Sequence, residues 1–310
     1  MKKFILNIVK FLGFLIPSYI ILLFIWSFFM PQFMAKNVRN KIASYGHLFT
    51  RVQEIKTHKN PDILFIGSSH SYRGFDPRVF SKMGYTTFNL GSSSQSPINS
   101  KALLHQYLTE INPKFVVYEI CGETLETDGV ESSLDLLSNN KIDENAFEMA
   151  ISLNNIRTYN TLIYNYLRQK IGFNKFVSEP KKQNGNQYIS GGYVESKYSK
   201  NPLHEEKKGK WNLIEKEIDI LKENISFFKK NKIPFILVQT PISKKMYESK
   251  TNNKETEMLL SKLGKFKNFQ GEIPLNDTID FYDSNHLNQE AVVKFNLKFI
   301  DYLKSQNIKF

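Results

Sequence analysis

The chain predicts an α/β protein, a three-layer α/β/α domain around a parallel sheet, preceded by one N-terminal transmembrane helix. Three observations carry this. Asp62–Ile66, Lys114–Cys121 and Ile233–Pro241 are apolar runs of strand length with little polar alternation, as suits strands covered on both faces. Helical spacings of apolar residues lie between them, and Phe11–Met30 runs almost without charge for about the 20 residues that cross a bilayer.

Taken in order, the span follows Met-Lys-Lys and Lys10, and the bulky aromatic stretch from Trp26 to Phe33 lacks a small-residue cleavage site, so residues 1–34 are expected to be an uncleaved anchor. Lysines and arginines flank both ends, leaving orientation open. Residues 35–60 form a polar, basic connector with a short helix, expected to lift the domain off the membrane, with His47 and His58 at its surface. Residues 61–310 make one α/β domain. Its second strand spans Tyr85–Leu90 and closes at Gly91, and Ser96-Pro97 begins a helix as N-cap and first-turn proline. Cys121, the single cysteine, ends the third strand and is expected in the core; it rules out an internal disulfide framework.

Residues 126–210 break the strand–helix rhythm and read as an insertion: a helix over Ala146–Ile171, then a polar, lysine- and asparagine-rich loop over 174–210 that includes His204. Leaving the carboxyl end of the third strand, the insertion over residues 126–210 is expected to reach over Ser69 and His286 as a lid that shapes substrate choice, with Lys181, Lys182, Lys197 and Lys200 attracting an acidic polymer and Tyr188 and Tyr193 stacking on sugar rings. An amphipathic helix over Trp211–Lys230, the fourth strand and a helix over Thr256–Leu263 restore the alternation, and Asn288 caps a final helix.

Chemistry concentrates at two places. Gly67-Ser68-Ser69-His70-Ser71 follows the first strand, where such a sheet places its ligand crevice. Asp283-Ser-Asn-His286 precedes the last helix. A serine hydroxyl needs a base to take its proton and a carboxylate to orient that base, so Ser69, His286 and Asp283 are the candidate triad. His70 is the weaker candidate base, expected to contact substrate or shape the turn. The Asn89–Pro97 turn holds Gly91, which lets backbone approach a bound group closely, and Ser92, Ser93 and Ser94, which add donors. Asp283 and His286 lack a second pair at ligand spacing, so neither metal nor cofactor is expected.

These residues resemble the SGNH (GDSL) hydrolase family. Gly67-Ser68-Ser69 matches its Gly-Asp-Ser block with serine in place of aspartate, and Asp283-x-x-His286 matches its last block. The Gly-Ser-Ser form is similar to the membrane-anchored branch that includes DltD of teichoic-acid D-alanylation and polysaccharide-acetylation proteins. The resemblance covers roughly residues 60–305 and implies a flavodoxin-like domain, catalytic Ser69, Asp283 and His286, an oxyanion hole from the N–H groups of Ser69 and Gly91, and substrate contacts from His70 and Ser92. The family's third block, Gly-x-Asn-Asp, is absent: the chain reads Cys121-Gly122-Glu123-Thr124, and a carboxylate accepts where the asparagine would donate. It further implies a single-pass cell-membrane protein with an extracytoplasmic domain, acting as an esterase or O-acyltransferase on a glycan or envelope polymer beside a membrane acyltransferase. The missing asparagine supports the other reading, a non-catalytic envelope assembly or glycan-binding protein. The net charge of +12 arises from scattered lysines without an arginine-rich block, which suits an anionic surface or polymer and not nucleic acid.

Overall fold

The computed structural model describes residues 1–43, 46–198 and 206–308; His204 and Lys200 lie outside these. In chain order, α1 (Lys2–Phe29) and α2 (Leu48–Glu54) precede β1 (Ile63–Ile66), α3 (Ser69–Gly74), α4 (Pro77–Lys82), β2 (Thr87–Asn89), α5 (Pro97–Ile111) and β3 (Phe115–Glu119). Next come α6 (Gly122–Glu126), α7 (Val130–Asn139), α8 (Glu144–Leu153), α9 (Ile156–Ile171), β4 (Lys182–Gln183), β5 (Asn186–Ile189) and β6 (Tyr193–Ser196). The chain closes with α10 (Glu215–Lys230), β7 (Phe235–Gln239), α11 (Lys244–Ser249), α12 (Asn253–Leu263), β8 (Phe266–Asn268) and α13 (Gln289–Ser305).

The central sheet has the order β2-β1-β3-β7-β8, and every pairing in it is parallel. Alternate side chains serve opposite layers, which is why the strand interiors are apolar on both faces and polar residues such as Asn89, Glu119 and Gln239 fall at their carboxyl ends. Ile63, Phe65, Val117, Ile236 and Val238 face α4 and α13 through Phe80, Val292, Phe295 and Phe299. Leu64, Ile66, Val116, Tyr118 and Leu237 face α5 and α10 through Leu104, Leu108, Leu221 and Phe228. The Phe65 and Phe75 rings stack 4.2 Å apart, and Phe75 lies 5.3 Å from both Phe295 and Phe299. Each such buried ring contributes about 1.5–3 kcal/mol, so α13 is clamped to β1 and its preceding loop is delivered to the carboxyl edge of the sheet.

Several sequence expectations change. The helix expected over Ala146–Ile171 is two: Asn154 adopts the left-handed conformation at φ 47° and Asn155 caps α9 by accepting from the Arg157 N–H. The stretch read as a loop over 174–210 contains a three-stranded antiparallel sheet, β4-β5-β6. Its Gly191–Gly192 turn lies against β2, where Gly191 O accepts from Asn89 N at 2.9 Å; a Cβ on Gly192 would collide with the Asn89 carbonyl. Tyr188 and Tyr193 are buried and bond Glu54 and Gln289, so they do not offer faces to a sugar. The segment read as a connector is part of the domain as well: Leu48, Val52 and Ile55 enter the core, and Arg51 is wholly buried. His47 is buried beside Glu179, 3.7 Å away, and not on the surface.

Candidate active site

β1 ends at Gly67, whose φ of +148° and contact with the next strand admit only glycine: a Cβ would lie 2.6 Å from the carbonyl and a carboxylate oxygen of Glu119. The chain then turns into α3, with Ser68 as N-cap accepting from the His70 N–H. Ser68 is committed to structure, because its N–H and its hydroxyl both donate to Glu119 Oε2 at 2.8 Å. Ser71 is fully buried and bonds Asn89. Ser69 is the half-buried serine of the turn, and its Oγ lies 2.8 Å from His286 Nε2.

His286 arrives from the other end of the domain. Asp283 closes the turn by accepting from the N–H groups of Asn285 and His286 through Oδ1, while its Oδ2 lies 2.8 Å from His286 Nδ1. One carboxylate thus shapes the loop and orients the imidazole. Asn288 caps α13 two residues later by accepting from Ala291 N, fixing the loop to the helix. Tyr282 stacks on the His286 ring at 5.4 Å with an interplanar angle of 3°, and Arg73 lies over Tyr282 at 5.9 Å. Arg73 Nη1 donates to Asn186 Oδ1 at 2.8 Å, linking the small antiparallel sheet to the site.

The electrostatics favour a neutral imidazole at His286. Burial lowers its pKa most, and positive charge at His70 and Arg73 lowers it further against the pull of Asp283. Burial acts upward on Asp283, but the bonds from His286 and the two backbone N–H groups outweigh it and hold the carboxyl below its usual range. His70 itself is 5% exposed, so it is not a substrate contact but a buried residue behind His286, its ring centroid 5.0 Å from that of His286. Burial acts downward on it, yet hydrogen bonding with Cys121 and Glu119 and the charges of Glu119 and Glu123 raise its pKa well above the ordinary value. Glu119 Oε1 is 3.8 Å from His70 Nδ1. His70, Cys121 and Glu123 bring ligand atoms within 4.8 Å of one another, a His/Cys/carboxylate set of the kind zinc accepts.

Two residues expected at the site are engaged elsewhere. Gly91 packs against the turn, but its N–H donates to Asn89 Oδ1 at 2.9 Å, because Asn89 folds back beneath it. Ser92 is fully buried, with its hydroxyl on Gln95 and Ser132. The Ser69 N–H, at the first position of α3, has no intrahelical acceptor to reach. Glu123, in the place of the expected asparagine, receives both its bonds in this loop from Asn285 Nδ2, at 3.3 Å each.

Sequence reasoning missed Glu119, Arg73 and Arg51. Glu119 had a signal, being the one acid in an apolar strand. Arg51 had none: it donates to the carbonyls of Gly192, Gly91 and Gly46 at 2.9, 2.9 and 2.8 Å, three partners distant from each other in sequence.

Fold and site together define an α/β protein with a serine–histidine–aspartate array at the carboxyl edge of a parallel sheet. No family model matches the chain, and no curated protein matches it. Among solved structures it is similar to a candidate acylhydrolase of Bacteroides fragilis, at 14% identity and a TM-score of 0.42 over 84% of this chain and 98% of that one. It is also similar to a GDSL-like lipase of Bacteroides thetaiotaomicron, at 11% identity and 0.36 over 84% and 99%. A third is a candidate platelet activating factor from Streptococcus pneumonia, at 11% and 0.40 over 83% and 94%.

Proposed function

We propose that the protein is a membrane-anchored serine esterase or O-acyltransferase of SGNH type, acting outside the cytoplasm on acyl esters of a cell-envelope glycan or polymer. The observation that carries it is the continuous chain from Ser69 Oγ through both ring nitrogens of His286 to Asp283, each link 2.8 Å. That is the spacing at which a base removes a hydroxyl proton and a carboxylate holds its tautomer.

In this reading neutral His286 takes the Ser69 proton through Nε2 as Oγ attacks the ester carbonyl, and Asp283 stabilises the imidazolium. The Ser69 N–H faces the developing oxyanion. Collapse of the tetrahedral intermediate passes the proton from His286 to the leaving alcohol and leaves an acyl-serine. Water resolving it makes an esterase, and a sugar hydroxyl makes a transferase. The helix α1, long and apolar enough to span a membrane, supports anchorage, and the positive net charge supports an anionic polymer.

The test is labelling by a fluorophosphonate serine probe. Wild type should label and Ser69→Ala should not, with turnover of a small ester falling by roughly 10⁴–10⁶. Labelling that survives in Ser69→Ala would remove the assignment. The engagement of the Gly91 N–H and the acid at Glu123 favour a second reading, a glycan-binding protein without turnover. It requires an unlabelled wild type whose glycan binding is unchanged in Ser69→Ala.

A further inference from the structure

The anchor does not stand clear of the domain. From Lys2 to Pro17, α1 is exposed throughout; beyond that it lies along α9. Tyr19 OH donates to Asn160 Oδ1 at 2.6 Å, the Phe24 ring is 5.5 Å from Tyr164, and the Phe28 ring is 5.3 Å from Phe173. Ser27 is buried, and Asn40 Nδ2 ties the helix end down through the carbonyls of Ser27 and Met30. The order of these contacts is the same in both segments, so α1 and α9 run side by side in the same direction.

The free part of α1 is too short for a bilayer. At about 1.5 Å per residue, Lys2–Pro17 covers about 24 Å, against a hydrocarbon core of about 30 Å. With Lys3 at one boundary and Lys10 snorkelling towards it, the other boundary falls near Leu23. Ile156 precedes Asn160 by one helical turn, and so lies deeper than Tyr19, about 12 Å inside that boundary by the same rise. Three apolar side chains face outward here, Ile151 at 64% exposed, Ile156 at 61% and Phe147 at 37% one turn further back on α8, beside the exposed polar residues Ser152, Asn154 and Arg157. Arg157, next to Ile156, lines a polar cavity of about 650 Å³ with Arg39, Lys41 and Glu131, and its long side chain snorkels outward from that depth.

We infer that the α8–α9 elbow, led by Ile151 and Ile156, inserts into the acyl-chain region of the leaflet through which α1 leaves the membrane. This rests on α1 being a membrane span. The depth lies just beyond the roughly 5–10 Å of interfacial helices. The domain is then seated in the bilayer surface and not suspended above it, and its site is held at a fixed height within reach of membrane-proximal esters.

The experiment uses the full chain in mixed phosphatidylcholine–phosphatidylglycerol liposomes, with a fluorophore on a single introduced cysteine and a doxyl-lipid quencher. The native Cys121 is buried. Labels at Ile151→Cys and Ile156→Cys should lose most of their fluorescence, like one at Leu15→Cys on the free part of α1, while one at the exposed Asp301→Cys should lose none. Quenching at Leu15→Cys with none at Ile151→Cys and Ile156→Cys would overturn the inference and leave the span intact. No quenching at Leu15→Cys would overturn the span and this inference with it.

Discussion

In the proposed mechanism, positive charge on His70 sets the working pH of His286 as the base. The two histidine rings are 5.0 Å apart, and at an effective dielectric constant of about 20 two unit charges at that distance repel by about 3 kcal/mol. That is about two pH units on the His286 imidazolium as an upper figure. His70→Gln removes the repulsion. The sign follows from the removed charge: His286 becomes easier to protonate, so the acid limb of kcat/KM moves to higher pH. The measurement is a pH–rate profile on a small aryl ester. His70→Gln with Glu119→Gln, which removes both charges, should move the limb less than His70→Gln alone. Stability gives an independent readout. With its folded pKa raised, His70 contributes stability that is complete below its unfolded pKa and is lost as pH rises through the folded value, and His70→Gln should abolish that slope. An acid limb that stays in place or moves down would refute the reasoning.

Three further substitutions test the scaffold. Gly122→Ala should destabilise by about 1–3 kcal/mol in chemical denaturation, because the new Cβ collides with the indole of buried Trp211. Arg51→Met should cost more, at about 1–3 kcal/mol for each of three carbonyls left without a donor, and a variant that kept wild-type stability would show those bonds to be replaceable. Replacing residues 174–210 by a short linker should lower stability and small-ester turnover together, since Arg51, Asn89 and Arg73 all lose partners; a stable variant that lost only activity on polymer would restore the lid expected from the sequence.

The sequence by itself determined what local pattern determines. Unbroken apolar runs must be covered on both faces, so β1, β3 and β7 and the parallel sheet were legible, as were α5 behind its Ser96-Pro97 start and α13 behind Asn288. Asp283 and His286 were legible because three residues of turn suffice to fold one onto the other. The motif pointed to Ser69, but only the tertiary structure gives the physical reason that it meets that histidine: Ser68, Ser69 and Ser71 are equivalent in composition, and the path of β3, which puts Glu119 under Ser68, separates them. It also decided the upward direction of the His70 pKa, which depends on Cys121 and Glu119 about fifty residues away. The hairpins of β4–β6 escaped notice because their stability comes from the Gly191–Gly192 turn docking on β2 and from Arg51, and not from any alternation of their own. The Gly91 N–H is the clearest case: the residue is where the motif places it, and a neighbouring asparagine side chain decides where its proton points.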